Sequence, residues 1–363
     1  MEPKRLLRWL WADLLSASGC FWWAKHDLRR NGAVVPLTFH RVLRDTDYEK
    51  TRSMPGMVLM ERTFRDLASH VAREYETVDL RESKPGMVRE KLRVAFTFDD
   101  GWIDTYAVAF PIAREYRIPF IVFVCPGLID EDTPFWPERL AALLRAAQPS
   151  AGTGETEKMI EKLKKVTHKE RERYLLDLQK PVQEKVTPVE SKGVDRTLSW
   201  AFIAEMVQHG VSFGSHSQTH PILTIVPADT VRQEVNESKA AIESALSNGC
   251  DIFAYPNGEW SPQTREILEK AGFRLAVTTR PGAWTMASDP LAIPRSNICE
   301  DNVVGPTGRF SGVMFEYMTV WKAWRATKTN SIRNHHAAAN GTGHTSKGSH
   351  PVHVGNTDDP LSH

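Results

Sequence analysis

Continuous apolar runs alternate along the chain with segments whose apolar residues recur at helical spacing. Val34-Val35-Pro36-Leu37-Thr38-Phe39, Arg93-Val94-Ala95-Phe96-Thr97-Phe98 and Phe120-Ile121-Val122-Phe123-Val124 are rich in β-branched and aromatic residues and predict buried strands. Val211-Ser212-Phe213-Gly214, Ile252-Phe253-Ala254-Tyr255 and Phe273–Thr278 predict shorter strands, as do Glu76–Leu80 and Leu291-Ala292-Ile293. Between them, Phe64, Leu67, Ala68 and Val71, then Ala107, Phe110 and Ala113, and later Val231, Val235, Ile242 and Leu246, keep the spacing of amphipathic helices. Ser199 and the pair Ser261-Pro262 predict helix starts, and Gly210 and Gly272 predict helix ends. Strands alternating with helices imply βα units and a parallel sheet.

Three stretches leave this rhythm. Residues 1–30 hold an apolar helical face built on Leu7, Leu10, Trp11 and Leu14, with Phe21, Trp22 and Trp23 behind it. Arg8 and Asp13 interrupt the run, and it is too short to span a bilayer. Two uses stand open for residues 5–25: packing on the protein's own core, or lying on a membrane surface. Residues 132–198 are an insertion, with a partly helical Phe135–Gln148, a break at Ala151–Glu155 and a charge-dense helix over Glu157–Leu178. It forms either a solvated helical face or a wall over the active site. Residues 326–363 are Gly/Ser/Thr/Asn/His-rich and are expected to be a disordered tail, with His335 and His336 as loose metal binders at most. The remaining unit, residues 31–325, is the expected domain.

Composition narrows the function classes. In 363 residues, 41% are apolar and 25% charged, as in ordinary globular proteins. A net charge of +1 with no basic-aromatic stripe gives no argument for nucleic acid. Cys20, Cys125, Cys250 and Cys299 lie far apart and form no CxxC, so nothing demands an oxidising compartment. Without a clear secretory signal, the expectation is the cytoplasm or the cytoplasmic membrane face.

The chemistry collects at strand ends. His40, Asp99-Asp100, His216 and Pro256-Asn257 each follow directly on a predicted strand, and in a parallel barrel those ends share one face. Asp99 and Asp100 are adjacent carboxylates that repel unless a cation or a proton separates them, and Gly101 permits the turn that lets both reach one site. Asp100, His216 and His220 offer one oxygen and two nitrogens and leave positions open, as a catalytic metal requires. Zn²⁺ suits such donors, with Co²⁺, Ni²⁺ and Mn²⁺ as alternatives. Asp99 is then left as a general base.

These residues carry a resemblance. Thr97-Phe98-Asp99-Asp100-Gly101 and Ser215-His216-Ser217-Gln218-Thr219-His220-Pro221 resemble the first two motifs of the polysaccharide deacetylase family (NodB homology, carbohydrate esterase family 4). Tyr255-Pro256-Asn257-Gly258, with the later Ala271-Gly272-Phe273, is similar to its third motif and the sequel. The resemblance covers roughly residues 34–298. It implies an α/β fold, a distorted parallel (β/α) barrel, and metal-dependent removal of N-acetyl, less often O-acetyl, groups from glycans. It also implies Asp99 as base, Asp100, His216 and His220 as metal ligands, and Tyr255-Pro256-Asn257 as the oxyanion and substrate side through the Asn257 N–H.

Three departures qualify the resemblance. The arginine that the family commonly carries two residues before the motif-three proline is replaced by Ala254, and Arg295 is the candidate to orient Asp99 instead. The late Leu-x-x-His segment that supplies the family's general acid is missing, since no histidine occurs between His220 and His335. The insertion is the third. Leu37-Thr38-Phe39-His40-Arg41-Val42 resembles the early segment of the exopolysaccharide and poly-N-acetylglucosamine deacetylase subgroup, which makes His40 the candidate acid. A structural histidine at a strand end is the competing use. Trp136, Trp260 and Trp284 are open to stacking on sugar rings or to ordinary packing. The rival functions are an O-deacetylase or amidase on a small or lipid-linked glycan, and a carbohydrate-binding or assembly protein with weakened catalysis.

Overall fold

The computed structural model describes residues 3–131, 135–148, 153–182 and 194–329. Ten strands occur among them: β1 Val34–Phe39, β2 Arg41–Leu43, β3 Val58–Met60, β4 Glu76–Thr77, β5 Arg93–Phe98, β6 Phe120–Val124, β7 Ser212–Ser215, β8 Ile252–Ala254, β9 Leu275–Val277 and β10 Ser296–Asn297. The main sheet runs β10-β1-β5-β6-β7-β8-β9, with β4 added to the start of β5, and every pairing in it is parallel. Strands β2 and β3 form a separate parallel pair.

The sheet curls into the expected distorted (β/α) barrel. The segment after residue 290 reaches both of its edges. Ile293 bridges to Val277 of β9, and Ser296 and Asn297 pair with Leu37 and Thr38 of β1. Side chains alternate along each strand, so one set fills the interior and the other meets the helices. Val34, Ala95, Ile121, Phe123, Ile252, Ala254, Val277 and Ile293 form the inner cluster. Leu37, Phe39, Phe96, Phe98, Val122 and Phe213 face outward onto helices such as Glu61–Glu74, whose Phe64, Leu67, Ala68 and Val71 are buried. Each large apolar side chain buried this way stabilises the fold by roughly 1.5–3 kcal/mol.

Several local expectations are corrected. Residues 1–30 form two helices, Pro3–Ala17 and Cys20–Arg30, separated at Gly19, which adopts φ 78°. The charge-dense stretch is also two helices, Thr153–Leu163 and His168–Gln179. Thr167 starts the second by accepting from the Glu170 N–H while Glu170 accepts from the Thr167 N–H, a reciprocal cap. The expected break at Ala151–Glu155 already belongs to a helix from Thr153 onward. With Trp136–Ala147 these helices build their own small core around Leu140, Leu143, Ile160, Leu163 and Leu175. The strand expected over Glu76–Leu80 keeps only Glu76–Thr77. Leu291–Ile293 contributes a single bridge, and β10 follows it. At the C-terminal side, helix continues through 322–329, past the expected start of the tail at 326. The rest of that tail, with His335 and His336, lies outside the described residues.

Candidate active site

The C-terminal ends of β1, β5, β7 and β8 bring His40, Asp99-Asp100, His216 and Pro256-Asn257 to one end of the barrel. At the end of β5 the Asp99 N–H donates to the Phe39 carbonyl at 2.9 Å, which extends the ladder by one residue. Asp100 and Gly101 then both adopt φ 71°, and the chain turns sharply. Aspartate tolerates this left-handed region better than most side chains.

His216 and His220 come from one loop, which is tightly held. The Glu234 carboxylate, from the helix Ala228–Leu246, accepts from the Gln218 and Thr219 N–H groups at 2.8 Å each and from the Thr219 hydroxyl at 2.6 Å. The Ser217 hydroxyl accepts from the His220 N–H at 3.0 Å. Gly127 makes room for the loop: its N–H donates to the Gln218 carbonyl at 2.9 Å, and a Cβ there would stand 2.7 Å from that oxygen.

The loop sets three donor atoms around one point. His216 Nε2 and His220 Nε2 lie 3.2 Å apart, and each lies 3.5 Å from Asp100 Oδ1. His216 Nδ1 donates to the Ala254 carbonyl at 2.7 Å, which leaves Nε2 with its lone pair toward the other two donors. Donors at about 2.0–2.1 Å from a tetrahedral ion stand about 3.4 Å from one another, so this oxygen-nitrogen-nitrogen set fits a divalent ion without rearrangement. Asp100 Oδ2, turned away, accepts from the Trp102 indole N–H at 3.0 Å.

Asp99 is held differently. Arg295 Nη1 and Nη2 donate to its two carboxylate oxygens at 2.7 Å each, while Arg295 Nε donates to the Thr278 carbonyl and Nη1 also reaches Thr97 Oγ1. The guanidinium and the carboxylate are both buried. Burial alone would push Asp99 up, but Arg295 beside it holds the carboxyl below its ordinary range. Burial acts the same way on Asp100, and there the His216 hydrogen bond and the His220 and His40 rings outweigh it. Burial and the neighbouring His216 ring depress His220 to about 4. His216 is itself buried, yet Asp100 and Asp99 draw it upward.

The other expected site residues take varied places. His40 is half-buried and near enough to act electrostatically on Asp99, Asp100 and His220, and its buried Nδ1 has no hydrogen-bond partner among the described residues. Asn257 sits in the left-handed region (φ 58°) after the buried Pro256, and its side chain donates to Glu259 Oε1. The Tyr255 phenol points into the core and donates to the Leu291 carbonyl. Trp284 packs in the barrel interior and pairs with Val34 through its backbone, so it is no sugar platform. Trp136 carries the Arg171 guanidinium over its ring within the insertion, and Trp260 lies half-buried with an indole N–H that has no hydrogen-bond partner among the described residues.

Sequence reasoning missed a buried polar network beside the site. Arg41, next to His40, is fully buried and donates to Asp104, Ser53, Asp195 and the Val194 carbonyl. Its guanidinium lies 4.3 Å over the Trp102 ring, the same indole that holds Asp100. Ser53 donates onward to Glu138 on the insertion helix Trp136–Ala147. The one usable signal was Trp102 itself, a donor directly after Asp-Asp-Gly.

Residues 87–276 match the family model described as polysaccharide deacetylase. YxkH of Bacillus subtilis (strain 168), named for the same family, is 22% identical over 248 residues, which are 67% of this chain and 65% of that protein. The chain therefore spans less than two thirds of this curated relative. Among solved structures, the deacetylase PplD of Streptococcus pyogenes, determined with acetate, has a TM-score of 0.52 at 21% identity over 75% of this chain and 94% of that one. IcaB from Ammonifex degensii has a TM-score of 0.51 at 20% identity, with the same two coverages of 75% and 94%. At these identities the two structures share the fold of this chain.

Proposed function

The chain belongs to the polysaccharide deacetylase family, and from that premise we propose that it is a metal-dependent hydrolase that removes N-acetyl groups from an acetylated sugar or polysaccharide. The observation that carries this reading is the division between two adjacent carboxylates: Arg295 grips Asp99, while Asp100 faces two imidazoles. A divalent ion held by Asp100, His216 and His220, with Zn²⁺ the first choice, supplies Lewis acidity to the acetyl carbonyl and lowers the pKa of water.

The chain's own residues do the rest. Asp99 keeps a second lone pair on each oxygen despite the Arg295 fork, and it accepts the proton of the attacking water. The Asn257 N–H donates to the carbonyl oxygen as charge develops there. His40 delivers a proton to the departing sugar nitrogen, so the C–N bond breaks to give acetate and a free amine. Arg295 fixes the direction of the Asp99 lone pairs and keeps the base ionised at neutral pH.

Acetate release from a panel of acetylated glycans tests the reading, with and without a chelator and with Asp99→Asn. The expected result is release that the chelator abolishes and Asp99→Asn reduces by at least about a hundredfold, together with a free amine on the glycan. Release indifferent to both would defeat the proposal. Acetate without new amine would assign the site to ester substrates.

A further inference from the structure

Apart from the reaction, the N-terminal helix presents an apolar face that its own fold leaves uncovered. In Pro3–Ala17, Trp9, Ala12 and Leu15 pack against Met314 and Tyr317 of the C-terminal helical segment. On the other side Leu6, Leu7, Leu10, Trp11 and Leu14 are exposed, from 41% at Leu6 to 59% at Leu14. At 100° per residue these five cover about 140° of arc. The helix is therefore apolar on two sides, and the side that docks on the barrel is not the exposed one. In the next helix, Cys20–Arg30, Phe21, Ala24 and Leu28 are buried while Trp22 and Trp23 stand outward, Trp22 at 70% exposure.

We propose that the helix Pro3–Ala17 lies in the surface of a lipid bilayer with anionic headgroups and holds the enzyme there. Two observations select a membrane over a second copy of the chain. The exposed set mixes leucines with three tryptophans, side chains that settle at the boundary between acyl chains and headgroups. Residues 1–30 carry six basic side chains against three acidic ones, whereas the whole chain has a net charge of only +1. Lys4 on the first helix and Arg30 at the end of the second are exposed, whereas Arg5 ion-pairs with Asp301 and Arg8 donates to the Asp301 carbonyl. The net positive segment is thus matched to negative headgroups through its exposed cations. No helix among the described residues is long and apolar enough to cross a membrane; at 15 residues the first spans about 22 Å, short of the roughly 30 Å hydrocarbon core. The helix lies on the bilayer and does not pass through it.

Vesicle flotation of the full chain tests the proposal. The protein is expected to float with phosphatidylcholine vesicles containing phosphatidylglycerol and much less with phosphatidylcholine alone. The double variant Leu10→Asp/Leu14→Asp is expected to lower the bound fraction about tenfold or more. Both positions are exposed, so circular dichroism and acetate release from a soluble glycan should match the parent. Brominated lipids should quench parent tryptophan fluorescence and spare the variant. The proposal is overturned if the parent stays behind with both vesicle types, or if the variant floats like the parent. It is equally overturned if sedimentation without lipid shows a dimer that the variant dissociates.

Discussion

Arg295 Nη1 and Nη2 each stand 2.7 Å from an oxygen of Asp99, a two-pronged grip between residues 196 positions apart in the chain. Ala254 occupies the place where the resemblance calls for an arginine, and its carbonyl instead accepts from His216 Nδ1. Arg295 approaches from the segment just before β10, with its remaining nitrogen anchored on Thr278. Arg295→Ala leaves Asp99 buried and uncompensated, so a loss of about 3–5 kcal/mol of stability is expected together with at least a hundredfold loss of turnover. Arg295→Lys restores the charge without the fork and should recover stability more than turnover. Thermal melts and acetate release check the pair, and unchanged turnover in either variant would remove Arg295 from the machinery.

Trp102 fixes the outer oxygen of Asp100 through its indole N–H. Trp102→Phe keeps an aromatic ring beneath Arg41 but removes that donor. Groups that orient a metal ligand typically contribute ten- to a hundredfold to affinity, and a loss of about tenfold is expected. Calorimetric titration with Zn²⁺ reads it directly. An unaltered dissociation constant would mean that the indole is only packing.

Glu234 ties the loop carrying both histidines to the helix Ala228–Leu246 through three hydrogen bonds. Glu234→Ala leaves the Gln218 and Thr219 N–H groups without their acceptor and lets His220 move off the His216–Asp100 pair. Metal affinity is expected to fall about ten- to a hundredfold. His216, held separately by the Ala254 carbonyl, stays in place. A crystal structure of the variant should show displacement confined to residues 217–220.

His40 sits where β1 delivers it, near enough to Asp99 to act on it electrostatically, and its buried Nδ1 has no partner among the described residues. As the acid that protonates the leaving nitrogen, it should be dispensable for metal binding. His40→Ala is expected to lower turnover about a hundredfold or more on an N-acetyl substrate while the metal content stays stoichiometric. A substrate with a better leaving group should be affected much less. An equal loss on both substrates would make the role structural.

How far the sequence could be read follows from what is local. The long apolar strands β1, β5 and β6 and the capping serines announce themselves, because burial on both faces and an orphan N–H are properties of a few consecutive residues. The polar dipeptide Ser296-Asn297 becomes β10 only because β1 lies beside it. Trp284, which the sequence leaves open to sugar stacking or to packing, is committed to packing only by the barrel that closes over it. Asp99, Asp100, His216 and His220 were visible as strand-end polar clusters. Of their supports, Arg295 was legible only as the stand-in for the arginine that Ala254 replaces, and Glu234 and Arg41 act from distant elements with no periodic trace.

Glu138 connects the insertion to this interior and should make stability depend on pH in an unusual direction. It is buried on the helix Trp136–Ala147, accepts from Ser53, and is raised to about 7 by burial and by Asp195, with Asp100 adding to the effect and Arg41 and Ser53 opposing it. A carboxyl whose folded pKa lies above its unfolded one binds more protons when folded. Between the ordinary value of 4.5 and about 7 the unfolded state gives up its proton first, so stability falls as pH rises through that window. The full penalty, roughly 3 kcal/mol at most, is present above pH 7 and absent below 4.5. Glu138→Gln keeps an acceptor for Ser53 and cannot ionise. It should therefore melt higher than the parent at pH 8, with the difference shrinking towards zero near pH 4.5. A difference of the same size at both pH values would instead point to packing at this position.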